Sequence, residues 1–142
     1  MTIGRLIEGR DSAVVTCTGD TLVRDAVALL ADRRIGAMPV MDGDTVVGIF
    51  SERDVIHCLA TKGADALSQP VSAVMTSPVQ SIEPDHAVLG ALSLMTRRRI
   101  RHLPVVVAGR LVGVVSIGDL VKYRIDRIEA DAAAMRAYIQ SA

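Results

Sequence analysis

Residues 33–54 read RRIGAMPVMDGDTVVGIFSERD, and residues 98–119 read RRIRHLPVVVAGRLVGVVSIGD. The two stretches align without a gap, and the register extends over Asp20–His57 against Asp85–Lys122. Arg33-Arg34-Ile35 falls on Arg98-Arg99-Ile100, and Pro39-Val40 on Pro104-Val105. Val47-Gly48 falls on Val112-Gly113, Ser51 on Ser116 and Asp54 on Asp119. Chance similarity does not keep Pro, Gly, Ser and Asp at fixed offsets. The chain is therefore an internal duplication of one supersecondary unit.

Each copy has the same grammar. A short extended piece, Val14-Val15-Thr16 or Val79-Gln80-Ser81, opens it. A helix follows over Leu22–Arg33 or Ala87–Arg98, where Val23, Ala26, Val27 and Leu30 recur at helical spacing, as do Val88, Ala91, Leu92 and Met95. Two strands come next, Ala37–Met41 with Val46–Phe50, and His102–Val107 with Leu111–Val115. Asp42-Gly43-Asp44 and Ala108-Gly109-Arg110 are the hairpin turns. A second helix starts at Glu52 or Ile117. The expected fold is α+β: two tandem β-α-β-β-α repeats with pseudo-twofold symmetry and a C-terminal helix. The expected divisions are a first repeat over 5–60, a linker over 61–72, a second repeat over 73–124 and a helical tail over 125–142. A pseudo-twofold places equivalent strand ends and helix starts across a cleft, where a ligand is sought.

Composition narrows the function classes. The 142 residues are 50% apolar and 23% charged, which describes a globular chain. Sixteen basic residues balance sixteen acidic ones, so there is no general positive field for nucleic acid. The aromatics are Phe50, Tyr123 and Tyr138, too few for a base-stacking platform. No apolar run approaches a membrane span, so a cytoplasmic protein is expected. Cys17 and Cys58 stand far apart without a CxxC, which gives no zinc or disulfide pattern. His57, His86 and His102 form no HExxH, and neither GxSxG nor a phosphate loop is present, so no catalytic set is legible.

Ser51-Glu52-Arg53-Asp54 and Ser116-Ile117-Gly118-Asp119 have two readings. As Ser-x-x-Asp before an apolar run each is a helix capping box. The same geometry places a short carboxylate in the first helical turn, able to accept both hydrogens of a ribose diol beside the positive helix start. The basic pairs Arg33-Arg34 and Arg98-Arg99 read as solvated helix ends. Arg101 and His102 differ, because the first copy has Gly36 and Ala37 there. Gly48 and Gly113 mark places where another group approaches a strand closely.

The doubled pattern of Pro-Val, hairpin and Gly-x-x-Ser-x-x-Asp resembles a tandem CBS-domain pair, or Bateman module, over about residues 5–124. The resemblance implies a small stand-alone bacterial-type CBS protein that binds an adenosine-containing ligand (AMP, ADP, ATP, NAD(H) or S-adenosylmethionine) as a sensor, without a catalytic cofactor. It implies ribose contacts from Asp54, Asp119, Ser51 and Ser116, and phosphate contacts from Arg101 and His102. It implies an adenine pocket from Val14, Thr16, Cys17, Val79, Ser81, Ile82, Gly36, Ala37, Pro39 and Pro104. It further implies that Thr16 meets Asp119 and Ser81 meets Asp54. With Gly36 and Ala37 opposite the basic residues, the two sites are unequal, and the small pair leaves room for a dinucleotide.

Beyond the second copy, Val121, Ile125, Ile128, Ala132, Met135 and Ile139 form an a/d stripe between charged residues. Its readings are a helix packing on its own domain or one pairing with a second subunit, and the latter is favoured. The expected protein is a homodimeric adenine-nucleotide sensor read by an unknown protein partner. The competing readings are a dimerising interaction module with vestigial sites, a nucleic-acid binder through Arg97–His102, and a nucleotide hydrolase.

Overall fold

The computed structural model describes residues 1–10 and 13–141. A short helix α1 (Ile3–Ile7) precedes the first repeat. That repeat is β1 (Cys17–Thr18), α2 (Val23–Arg33), β2 (Ala37–Asp42), β3 (Thr45–Ser51) and α3 (Glu52–Lys62). Two 3-10 turns, Gly63–Ser68 and Val71–Ala73, lead to the second repeat: α4 (Val88–Arg98), β4 (His102–Val107), β5 (Arg110–Ser116) and α5 (Ile117–Ser141). No described helix is long and apolar enough to cross a membrane.

The hairpins are built as the duplication requires. β2 and β3 pair antiparallel, as do β4 and β5, each with a register shift at the same place, Val40/Met41 and Val105/Val106. Ala108 and Gly109 both take positive φ (50° and 79°), the twist that suits a two-residue hairpin turn. The opening strands are smaller than the sequence pattern predicts. β1 is Cys17–Thr18, parallel to Val40–Met41, not Val14–Thr16. In the second repeat only a single bridge, Ile82 with Val105, stands in that place. The residue just past each pattern, Cys17 or Ile82, is the one that reaches the core, and pairing starts there.

Two cores result. Val23, Ala26 and Leu30 of α2 pack with Met38, Val40 and Phe50, and Val88, Ala91 and Met95 of α4 pack with Leu103, Val105 and Val115. Each core is completed by the segment that precedes the other repeat. Ile3 of α1 is buried in the second core, anchored by Ile3 N–H to His86 O and Gly4 N–H to Pro84 O, both 2.8 Å. Ala66 and Val71 are buried in the first, where Val71 N–H donates to Thr21 O and Ser72 N–H to Gly19 O. The exchange explains the strand glycines: a Cβ at Gly48 would overlap Met75 Sδ, and one at Gly113 would lie 3.1 Å from Ile7 Cδ1. The close approach is by a crossing segment of the chain itself.

Candidate functional site

Both Ser-x-x-Asp motifs close real capping boxes. Ser51 N–H donates to Asp54 Oδ2 (2.9 Å) and Asp54 N–H to Ser51 Oγ (3.3 Å). Ser116 N–H donates to Asp119 Oδ2 (2.9 Å) and Asp119 N–H to Ser116 Oγ (3.1 Å). These bonds satisfy donors left open at the helix start and hold each carboxylate in one orientation. The free oxygens then differ. Asp54 Oδ1 accepts from Thr76 Oγ1 at 2.9 Å. Asp119 Oδ2 also meets Arg10 Nη2 at 3.1 Å, and among the described residues Oδ1 accepts nothing. The exchange of segments thus sets one group from before each repeat against the carboxylate of the other. Those groups are Arg10 and Thr76, not Thr16 and Ser81.

Asp119 stands at the edge of a cavity of about 550 Å³, within the size range of small-molecule sites. Its apolar wall holds Val14, Val15, Ile35, Pro39, Val112 and Val114. Its cationic side holds Arg10, Arg33 and Arg34, with Arg10 Nη1 also donating to Val114 O at 2.8 Å. Arg33 and Arg34 are therefore more than a solvated helix end. Arg34 is the α2 C-cap in the left-handed conformation (φ 54°), as Arg99 is for α4 (φ 55°). A non-glycine residue there costs about 1–2 kcal/mol, a local strain found at the end of this helix in both repeats. Asp54 belongs to a second cavity of about 180 Å³ with Ser51, Glu52, Arg53, Thr76 and Arg101, below the usual ligand range.

His102 lines both cavities. Its ring lies over Gly36, where a Cβ would come within 3.1 Å of His102 Cε1. The sequence asymmetry thus has a steric meaning: glycine admits the imidazole, and the room expected for a dinucleotide at Gly36 is filled by it. Burial holds the imidazole below the ordinary histidine value, Arg101 lowers it further, and the Glu52 and Asp119 carboxylates oppose this. At neutral pH His102 is an uncharged donor and acceptor.

The remaining expected residues fall into three groups. Val14, Pro39, Ser116 and Asp119 line the large cavity, Arg101, Ser51 and Asp54 the small one, and Gly36, Ala37 and His102 line both. Cys17 and Ile82, expected in an adenine pocket, line neither cavity. Both are core residues, and burial pushes the Cys17 thiol up to about 11. Their apolar side chains complete the two cores where the opening strands pair. Pro104 is buried and its carbonyl accepts from Ile82 N–H, while Thr16, Val79 and Ser81 line neither cavity. Arg10 and Thr76 were not legible, because nothing local marks either and only the segment exchange brings them to the site. Among the described residues no group of three His, Cys, Asp or Glu is placed to hold a metal ion.

Comparison with known proteins agrees with this architecture. The CBS domain family matches residues 10–61 and 71–126. A CBS-domain containing protein of Arabidopsis thaliana, CBSX3, described as mitochondrial, is 33% identical over 135 residues, covering 92% of this chain and 66% of that protein. The crystal structure of a CBS-domain containing protein from Agrobacterium tumefaciens is similar with a TM-score of 0.83 at 38% identity, covering 87% of this chain and 99% of that one. A CBS domain protein from Pyrobaculum aerophilum, solved in complex with AMP, has a TM-score of 0.74 at 28% identity, covering 84% and 89%. With both copies matched, the chain belongs to the CBS-domain family as a tandem pair.

Proposed function

We propose that this protein is a regulatory sensor that binds one adenosine nucleotide, of the AMP or ATP class, in the larger inter-repeat cavity. The observation that carries the reading is the Asp119 carboxylate: fixed by its capping box, with one oxygen open among the described residues, beside an apolar wall and three arginines. Asp119 accepts from the ribose diol, the Val14, Ile35 and Val112 wall takes the base, and Arg10, Arg34 and neutral His102 hold phosphate. The Arg10–Asp119 pair is more than one-third exposed on both sides. Exposed pairs of this kind are worth about 0–1 kcal/mol, so a ligand displaces Arg10 cheaply, and the freed guanidinium is left beside the phosphates. The AMP complex of the Pyrobaculum relative supports the ligand class.

The smaller cavity has the structural role: Asp54 caps α3 and clamps the crossing segment through Thr76, and Arg101 lies outside the phosphate site. Binding at Asp119 acts on the first turn of α5, and a protein partner or a second copy of the chain reads the change, provided the ligand favours one state over the other. Two free buried cysteines fit a reducing, cytoplasmic setting. Calorimetric titration of nucleotide-stripped protein with AMP, ATP, NAD+, NADH and S-adenosylmethionine tests the reading. Saturable binding of an adenine nucleotide is expected. No heat and no shift in melting with any of the five would leave the dimerising interaction module in its place.

A further inference from the structure

The second half of α5 packs on nothing in its own chain. Every described residue from Arg124 to Ser141 is exposed. α5 is a single helix of 25 residues, about 37 Å long at 1.5 Å per residue. Helices of this kind draw most of their stability from burying an apolar face. α5 has such a face and leaves it open: Ile125 is 50% exposed, Ile128 52%, Met135 59% and Ile139 64%.

The charges beside this stripe decide what covers it. With Ile125, Ala132 and Ile139 at a, and Val121, Ile128 and Met135 at d, Arg124 and Asp131 fall at g, and Lys122, Glu129 and Arg136 at e. In a parallel, in-register pair each g faces the e of the next heptad on the other helix. Arg124 then meets Glu129 of the partner subunit, and Asp131 meets Arg136 of the partner subunit, each contact occurring twice by symmetry. In the antiparallel pair that keeps the same core layers, Glu129 faces its own copy, Asp131 faces its own copy and Lys122 faces Arg136. Every one of those contacts joins like charges. Asp131 also meets Arg127 of its own helix at 3.6 Å, an exposed pair that leaves the partner contact accessible.

We propose that the α5 tails of two copies of this chain pair as a parallel, in-register coiled coil over Val121–Ile139. This rests on the dimeric reading above and adds the surface, the direction and the register. It also gives the ligand carboxylate a mechanical route, because Asp119 sits in the first turn of the same continuous helix that carries the seam.

The test uses the full chain carrying Met135→Cys, whose native Cys17 and Cys58 are both buried. Sedimentation equilibrium should give a dimer, and mild oxidation should link position 135 to itself. In the antiparallel arrangement the two 135 positions lie about 15 Å apart along the axis and cannot be joined. Arg124→Glu should weaken the dimer roughly tenfold, and the double variant Arg124→Glu/Glu129→Arg should restore it. Ile128→Asp should give a monomer that still unfolds cooperatively, because Ile128 is 52% exposed and belongs to neither core. A dimer that fails to cross-link at 135, or that is indifferent to the charge swaps, overturns the tail pairing alone. A monomeric wild-type chain overturns the dimeric reading with it.

Discussion

The two capping aspartates are equivalent in sequence and unequal in structure, so their substitution separates the site from its structural twin. In Asp119→Asn the amide oxygen still accepts from Ser116 N–H, and the first turn of α5 is retained at a cost of at most about 1 kcal/mol. What is lost is the charge on the oxygen that is open toward the larger cavity. A hydrogen bond to a charged acceptor contributes about 1.5–3 kcal/mol, so AMP affinity should fall roughly ten- to a hundredfold. Asp54→Asn removes a carboxylate whose two oxygens are already engaged by Ser51 and Thr76. Affinity there should change by less than about threefold, with the loss appearing in stability instead. Calorimetry of both stripped variants, each checked by thermal melting, measures the contrast. Equal losses in the two variants, or a loss confined to Asp54→Asn, would refute the assignment of the ligand to the Asp119 side.

Three further outcomes follow from the same geometry. Because burial lowers the His102 pKa, the unfolded chain binds more protons than the folded one as pH falls below the ordinary histidine value. The melting temperature should therefore drop from pH 7.5 toward pH 5.5, and His102→Asn should flatten part of that drop; an unchanged slope would contradict a half-buried imidazole with a lowered pKa. Gly48→Ala should destabilise by about 1–3 kcal/mol, since Met75 Sδ and the bridged Thr76 backbone crowd the new Cβ, while Gly113→Ala meets only the flexible tip of Ile7 and should cost less. Denaturant melts compare the two, and the reverse order would argue against the segment crossing. With its thiol pKa raised to about 11 by burial, Cys17 should resist alkylation at pH 8 in the folded protein and react fully once unfolded. Peptide mass mapping reads this, and rapid native labelling would place Cys17 outside the core.

Much of the fold is written in local pattern. α2 and α4 begin within one residue of the helical spacing, and β4 coincides with the predicted His102–Val107. The duplication made the second copy legible from the first. The capping boxes were legible because Ser and Asp three apart carry their chemistry within one turn. The exchange of segments was not, since Ile3 in the second core and Val71 in the first depend on contacts between distant parts of the chain. The same exchange hid Arg10 and Thr76. It also misdirected the adenine pocket: Cys17 and Ile82 lie where the opening strands enter the cores, and apolar residues at such points are consumed by packing. The Gly36–His102 asymmetry was visible as a difference between copies, but its meaning required seeing the imidazole lie over the glycine.

The most direct measurement is a crystal structure of the stripped protein soaked with AMP. The account places the nucleotide in the cavity shared by Val14, Gly36 and Asp119, its ribose on the Asp119 carboxylate and Arg10 moved from Oδ2 toward the phosphate. Nucleotide on the Asp54 side, or a ribose bound with the Arg10–Asp119 pair intact at 3.1 Å, would contradict it.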